Sequence, residues 1–454
     1  MDIAKIVETQ RQFFQTGQTR DVQFRISALK KLQNGIRARE EEIAAALRSD
    51  LGKAAFESYL TETAIVLAEL SLFLKKIRLW AKPRRVKTPL ILFSAQSRIL
   101  PEPFGVTLIM SPWNYPFQLA INPLIGAIAA GNTAVVKPAS YAPATSRLIA
   151  DLVAECFDPA HVTTVLGGRE ENAALLDQRF DFIFFTGSTN VGKVVLEKAA
   201  PHLTPVCLEL GGKSPCLIDR GVDLGLVAKR IAFGKMINAG QSCVAPDYVL
   251  IPWEDRDHFV EAYREAIRTF LGPDPLRNPD YPKIITAKHV ERLKGLLHGE
   301  RCVLGGDSTE SKIAPTLIID VKPDSLLMQE EIFGPILPIL TYERLEEALE
   351  VIRSHEKPLA FYLFTKNRIL REKLLREVPF GGATVNDTMM HFASSELGFG
   401  GVGHSGMGRY HGKQSFLTFS NPKGIVDRST RIDLPFRYHP YSEAKRRVVK
   451  KIIH

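Results

Sequence analysis

Four short β-rich runs, each closed by turn residues, constrain this chain more than any other feature. GVTLIMSP, AGNTAVVKP, HVTTVLGG and DFIFFTGS follow one another between Gly105 and Ser188, separated by the helix-like stretches NPLIGAIAA, APATSRLIADLVAEC and ENAALLDQ. Alternation of this kind predicts right-handed βαβ units on a parallel sheet. A second alternating set begins after about Glu209 and includes SPCLID, VDLGLVAKRIAFGKMI, DYVLIP, PTLIID, PILPILTY and GATVND, which predicts a second α/β body. A length of 454 residues agrees, because a chain this long divides into two or more domains.

The ends of the chain differ from this pattern. Ile26, Leu29, Leu32, Ile36, Ile43 and Leu47 recur at three- and four-residue spacing, so the first eighty residues read as helices. KPRRVKTPLILFSAQSRILPEPFG, from Lys82 to Gly105, interrupts them with four prolines and short extended runs, as strands bridging between bodies would. The glycine-rich GFGGVGHSGMGRYHG that starts at Gly398 reads as a loop, followed by a short extended segment.

Composition excludes several classes. With 45% hydrophobic and 24% charged residues, the chain is of the ordinary soluble globular type. Its five cysteines cannot all pair, and none shows C-x-x-C spacing, which argues against structural zinc or a thioredoxin-like motif; no metal is expected. The start, MDIAKIVETQRQFFQ, is not a secretory signal, and no apolar run approaches the roughly 18 to 20 residues that span a bilayer. A cytoplasmic location with reduced thiols is expected. The net charge of +9 is concentrated at the end: residues 431 to 454 hold seven Lys/Arg and two acids, leaving only +4 for the rest. A basic tail is not a basic groove, and no basic residues interleave with aromatics, so nucleic acid is not an expected partner.

Gly401-Val-Gly403-His-Ser-Gly406 satisfies G-x-G-x-x-G literally. That fingerprint requires a preceding strand and a following apolar helix, since the helix N-terminus binds the pyrophosphate. MGRYHGKQSF offers no helical face, so a tight backbone loop at a domain junction is the expectation. DFIFFTGSTNVGKVVLEKAA has the better context. Its strand passes through Gly187 and Ser188 into a helix near Asn190, where Ser188 and free N–H groups can meet a phosphate.

Three residue types in suggestive settings remain. Cys243, in NAGQSCVAPDYVL, lies between a polar turn and a strand; it reads either as a nucleophile or as one more small buried hydrophobe. Asn114, in SPWNYPF, sits at a strand end, where its amide can donate to an oxyanion or simply shape a turn. Glu209, in CLELGGKSP, is flanked by leucines. Burial there would suit a general base, but a structural partner for Lys213 or a backbone N–H fits equally.

PWNYPF, VVKPAS, FTGSTNVGK, LELGGKSP, GQSCVAPDYV, EEIFGPILPI and GFGGVGHSGMGRYHGKQSFLTFS, in this order from about Phe104 to Ser420, resemble the signature segments of the aldehyde dehydrogenase superfamily. The short N-terminus and the GMGRYHGKQSF ending are similar to its class 3 branch, whose members include dimers acting on aromatic and medium- to long-chain aldehydes. The resemblance implies an α/β fold with a Rossmann-like cofactor domain (1–81 and 104–209), a second α/β catalytic domain (210–395) and a small β oligomerisation or bridging element (82–103 and 396–454). It implies Cys243 as nucleophile, Glu209 as general base and Asn114 with the Cys243 N–H as oxyanion donors. Aldehyde would become thiohemiacetal, then thioester, then carboxylic acid. A coenzyme-A-acylating enzyme or a non-catalytic binding protein with the same fold are the alternatives; Glu209, a hydrolytic base, counts against the first.

The cofactor residues transfer in the same way: Lys137 to the adenosine ribose, Gly187 and Ser188 to the pyrophosphate, Glu331 and Phe333 to the nicotinamide ribose and ring. Ser140 departs from the glutamate of many NAD-preferring members. A serine there does not repel a 2′-phosphate, so the expected cofactor is NADP or NAD, with NADP favoured. Tyr115 is expected to line the substrate site, with Tyr59 as a weaker candidate. A homodimer is expected, and the basic segment 440–454 raises weak peripheral membrane contact.

Overall fold

The β-rich runs form strands, and most are buried along their whole length. In the computed structural model, which describes residues 2–322 and 324–453, sixteen strands make three sheets. A three-stranded antiparallel sheet holds β1 (Arg84–Val86), β2 (Ala95–Pro103) and, from the far end of the chain, β16 (Ser420–Arg428). The first large sheet is built on β3 (Val106–Met110), β4 (Thr133–Lys137), β5 (Val162–Thr164), β6 (Phe182–Thr186) and β7 (Val206–Glu209), all parallel. The second contains β8 (Pro215–Ile218), β9 (Tyr248–Pro252), β10 (Arg301–Leu304), β11 (Thr316–Ile319), β12 (Ile336–Tyr342), β13 (Ala360–Phe364) and β14 (Gly382–Val385), parallel except for β10.

Alternation of side chains across each strand makes both large sheets the middle of a three-layer stack. Ile109, Val136 and Phe184 face a core built from the helices Val22–Ala38, Ala64–Trp80, Gln118–Ala130 and Pro143–Cys156. Leu108, Met110, Val135 and Phe185 face the opposite way, toward the first helix and the helix Thr189–Ala199. In the second sheet, Cys216, Ile218, Val249 and Ile251 serve one core, while Leu217, Tyr248 and Leu250 serve the other. This is the doubly wound arrangement, and ligands gather at its strand C-termini.

The glycine-rich segment differs from the pure loop and bridge expected of it. Gly406–Met407 forms β15, an antiparallel edge strand on β7 that puts Gly406 opposite Glu209. The decoy fingerprint is a tight turn. Gly403 bridges Gly406, Ser405 Oγ bonds Val402, and a Cβ on Gly401 would stand 2.0 Å from the Ser405 carbonyl. Only glycine fits so close to backbone. The segment thus buttresses a strand. Among the described residues, no helix is long and apolar enough to cross a membrane.

Candidate active site

Cys243 follows a short turn in which Asn238, Ala239 and Gly240 all have left-handed backbone, with φ of 53°, 51° and 73°. For the two residues bearing a Cβ this conformation costs free energy, and surrounding contacts must enforce it. They do. Asn238 Nδ2 donates to the carbonyls of Asn114 (2.7 Å) and Gln241 (3.0 Å). Gln241 Nε2 donates to the carbonyls of Asn238 and Lys283, and its Oε1 accepts from the Ile285 N–H. A Cβ on Gly240 would lie 2.3 Å from the Gly334 carbonyl. The loop holds Cys243 half-buried, whereas Cys156, Cys207 and Cys216 are buried and Cys302 is exposed on β10.

Asn114 lies beyond the C-terminal end of β3, and its side chain is buried. Nδ2 donates to the Gln241 carbonyl at 3.1 Å, which ties the amide to the cysteine loop. An amide nitrogen carries two hydrogens, so one is left for another acceptor. Tyr115, next in sequence, is also buried, and its hydroxyl has no hydrogen-bond partner among the described residues. Tyr59 stands apart, exposed on its helix.

Glu209 ends β7 and is 2% exposed. Its structural alternative fails: Lys213 pairs instead with Asp247 at 2.5 Å and donates to the carbonyls of Leu327 and Glu330. Among the described residues, Oε2 of Glu209 has no partner, and Oε1 has only the Cys207 thiol at 3.9 Å. Burial pushes this carboxyl well above the usual carboxylate range, with Arg409 pulling it only partly back. Burial, then the charges of Glu331 and Glu209, also push the Cys243 thiol up, against the N–H groups of Cys243 and Val244. Burial and the two neighbouring carboxyl groups thus both favour the neutral form of the thiol.

Lys213 and Asp247 perform a different task. Asp247 Oδ1 accepts the Ile332 N–H at 3.0 Å, so the pair clamps the backbone on both sides of Glu331. Glu331 lies against Gly211, where any Cβ would stand 1.9 Å from its Oε2. Burial and Asp247 raise its carboxyl to about 8. Phe333, at φ 50°, meets the Trp113 ring edge-on at 5.4 Å.

The remaining cofactor candidates line the strand ends of the first sheet. Lys137 closes β4, and its ammonium donates to the Pro138 and Gly167 carbonyls at 2.9 and 2.8 Å. Burial lowers its pKa. Ser188 occupies the N-cap position of the helix Thr189–Ala199 with an exposed side chain that makes no capping bond. Gly187 N–H donates to the Glu209 carbonyl at 3.0 Å, joining the turn after β6 to the end of β7. Ser140 is exposed beyond Lys137. A spare serine hydroxyl at a helix N-terminus, a cation and an open strand edge fit a dinucleotide. Cys243, Asn114, Tyr115, Glu209 and Glu331 thus lie together, while Lys137, Ser140, Gly187 and Ser188 lie at or just beyond the C-terminal ends of β4 and β6 and Phe333 lies against Trp113.

Nucleotides bind doubly wound sheets at such strand ends, which places the molecule among the folds that carry nucleotide-dependent enzymes. The chain belongs to the aldehyde dehydrogenase family, whose sequence profile matches residues 1–425. It is 47% identical over 433 residues to 4,4'-diaponeurosporen-aldehyde dehydrogenase of Staphylococcus aureus, covering 94% of both chains. It is 45% identical over 446 residues to aldehyde dehydrogenase family 3 member A2 of Rattus norvegicus, covering 97% of this chain and 92% of the relative. A substrate-bound structure of Staphylococcus aureus AldH superimposes with a TM-score of 0.98 at 45% identity, covering all of both chains. The protein is a class 3-like, NAD(P)-dependent enzyme that oxidises aldehydes to carboxylic acids.

Residue periodicity did not reveal Lys53, Glu57, Glu62, Asn238 and Gln241, which hold the site together. Their signal is faint: charges inside an otherwise helical run, and two amides beside a glycine.

Proposed function

We propose that the enzyme oxidises lipophilic aldehydes, aromatic or of medium to long chain, with Cys243 as nucleophile. The observation that carries this reading is the buried Glu209 carboxyl, whose Oε2 has no partner among the described residues, within electrostatic reach of Cys243. Cys243, as thiolate, adds to the aldehyde carbon, and the spare Asn114 hydrogen with the Cys243 N–H holds the oxyanion. Lys137, Ser188, Glu331 and Phe333 would hold NAD(P), which would supply the hydride acceptor for oxidation to the thioester. Glu209 then takes a proton from water as its oxygen attacks the thioester, releasing the acid and restoring the Cys243 thiolate. A hydrolytic base so placed disfavours transfer to coenzyme A and a non-catalytic role.

Support for the substrate class comes from the buried Tyr115 ring and from a relative named for a carotenoid-type aldehyde. NADP is the better cofactor, because Ser140 is exposed where a carboxylate would repel a 2′-phosphate. The enzyme works as a cytoplasmic homodimer; sedimentation distinguishes one copy of the 50.6 kDa chain from two. The terminal helix Glu443–Ile453 carries five basic residues with Val448 and Ile453 exposed among them. Near an anionic bilayer each charge contributes about 1 kcal/mol. Equal co-sedimentation with liposomes after removal of residues 440–454 would end this part of the reading.

The test is steady-state reduction of NADP and NAD with benzaldehyde and a C6 to C16 aldehyde series, with Cys243→Ala alongside. Turnover is expected to vanish in the variant. Activity that survives there removes Cys243 from the mechanism.

A further inference from the structure

Lys53 and Glu62 are both fully buried and pair at 2.6 Å. Each remaining bond of this pair ends on the backbone that carries Asn114. Lys53 Nζ donates to the Asn114 carbonyl at 3.1 Å and lies 4.2 Å from the centre of the Tyr115 ring. Glu62 Oε2 accepts the N–H groups of Phe117 and Gln118 at 2.9 and 3.2 Å, at the start of the helix Gln118–Ala130. The nucleophile loop joins the same frame: Asn238 Nδ2 shares the Asn114 carbonyl, and Asn238 N–H donates to Glu57 Oε1 at 2.7 Å.

Both carboxylates come from one short segment that includes the π-helical turn Tyr59–Thr63. The chain passes from the helix Ala55–Ser58, which carries Glu57, straight into the π-helical turn that carries Glu62, and such turns occur at functional sites. A buried ion pair is a poor route to stability, because desolvation offsets most of its attraction; a well-packed apolar pair would serve as well. The arrangement makes sense as a device for orientation.

We infer that Lys53 and Glu62 are positioning residues for the oxyanion donor. They fix the Asn114–Gln118 backbone so that the spare Asn114 hydrogen points at the space above Cys243. This rests on the proposed roles of Asn114 and Cys243.

Two probes of the full-length enzyme separate orientation from general damage. Acylation by 4-nitrophenyl acetate forms an oxyanion: the Cys243 sulfur adds to the carbonyl carbon and 4-nitrophenolate leaves. Alkylation by iodoacetamide forms none: the same sulfur displaces iodide. Asn114→Ala is expected to slow acylation about 100-fold or more, as loss of an oxyanion donor does. Glu62→Gln should slow acylation at least tenfold and leave alkylation within twofold of native. The Glu62→Gln/Asn114→Ala double variant should be no slower than Asn114→Ala alone, because residues acting through one group are not additive. Lys53→Met is expected to give the same pattern, and Lys53→Arg to restore part of the acylation rate. It replaces Glu62→Gln where that protein does not fold.

Native acylation in Glu62→Gln or Lys53→Met, with Asn114→Ala slow, overturns the positioning role alone. Acylation and alkylation falling together also overturns it, as does a multiplicative double variant. Native acylation in Asn114→Ala removes the reading of Asn114, and the inference with it.

Discussion

Glu69 offers a quantitative test of how the loop beyond the Glu209 strand is held. It projects from the helix Ala64–Trp80, is buried, and accepts the Gly412 N–H at 2.7 Å. Burial pushes its carboxyl from 4.5 to about 7, and the Gly412 bond only partly compensates. A group whose folded pKa is raised supplies stability at low pH that is lost as pH climbs from the unfolded pKa through the folded one. With about 1.36 kcal/mol per decade, the full loss is about 3 kcal/mol, of which about 2 kcal/mol accrues between pH 5.5 and 8.5. Glu69→Gln keeps an oxygen for Gly412 and removes the titration. Any cost of its buried –NH2 is the same at both pH values and cancels. Urea unfolding of both proteins at pH 5.5 and 8.5, followed by fluorescence, measures the difference; Trp80 packs 6.1 Å from Phe416 beside this contact and reports on it. The variant should gain about 2 kcal/mol on native enzyme across that interval. Parallel pH dependence of the two proteins would refute the reasoning.

Glu209→Gln should retain a first-turnover burst of reduced cofactor while steady-state kcat falls roughly 10²- to 10⁴-fold, the usual worth of a general base; stopped-flow loss of the burst would place Glu209 in the attack step instead. Because burial raises both the Cys243 thiol and the Glu209 carboxyl, and both must ionise, kcat/KM should rise with pH through neutrality into the alkaline range; a profile flat from pH 5 upward would contradict this. Lys213→Met leaves Asp247 buried without its cation, so about 3 to 5 kcal/mol of stability should be lost, read as a lowered denaturation midpoint. Ser140→Glu should shift the ratio of kcat/KM values away from NADP by tenfold or more; an unchanged ratio means the position does not discriminate.

The two large sheets were legible because their strands are buried on both faces and read as uninterrupted apolar runs. Cys243, Glu209 and Asn114 were visible as residue types in odd settings, but nothing local distinguished nucleophile from core cysteine, or base from ion-pair partner. Lys213 is taken up by Asp247, 34 residues away and invisible to any periodic pattern. Lys53 and Glu62 were hidden for a related reason. In a helical run they look like solvated charges, and the π turn that buries one of them shifts spacing by a single residue. The glycine-rich segment misled in detail, since pairing with β7 depends on a partner some 200 residues earlier.

The strained turn before Cys243 bears on how the protein can drift. Asn238 and Gln241 fasten it almost wholly to main-chain atoms: the carbonyls of Asn114, Asn238, Gln241 and Lys283, and the N–H of Ile285. Main-chain atoms are supplied by every residue. What the turn takes from positions 283 and 285 is therefore main chain alone, while Gln241 has no substitute that both donates and accepts over the same reach, and Asn238 none that donates to the same two carbonyls. Tolerance and intolerance alternate along the turn, set by which partner brings a side chain and which brings only its backbone.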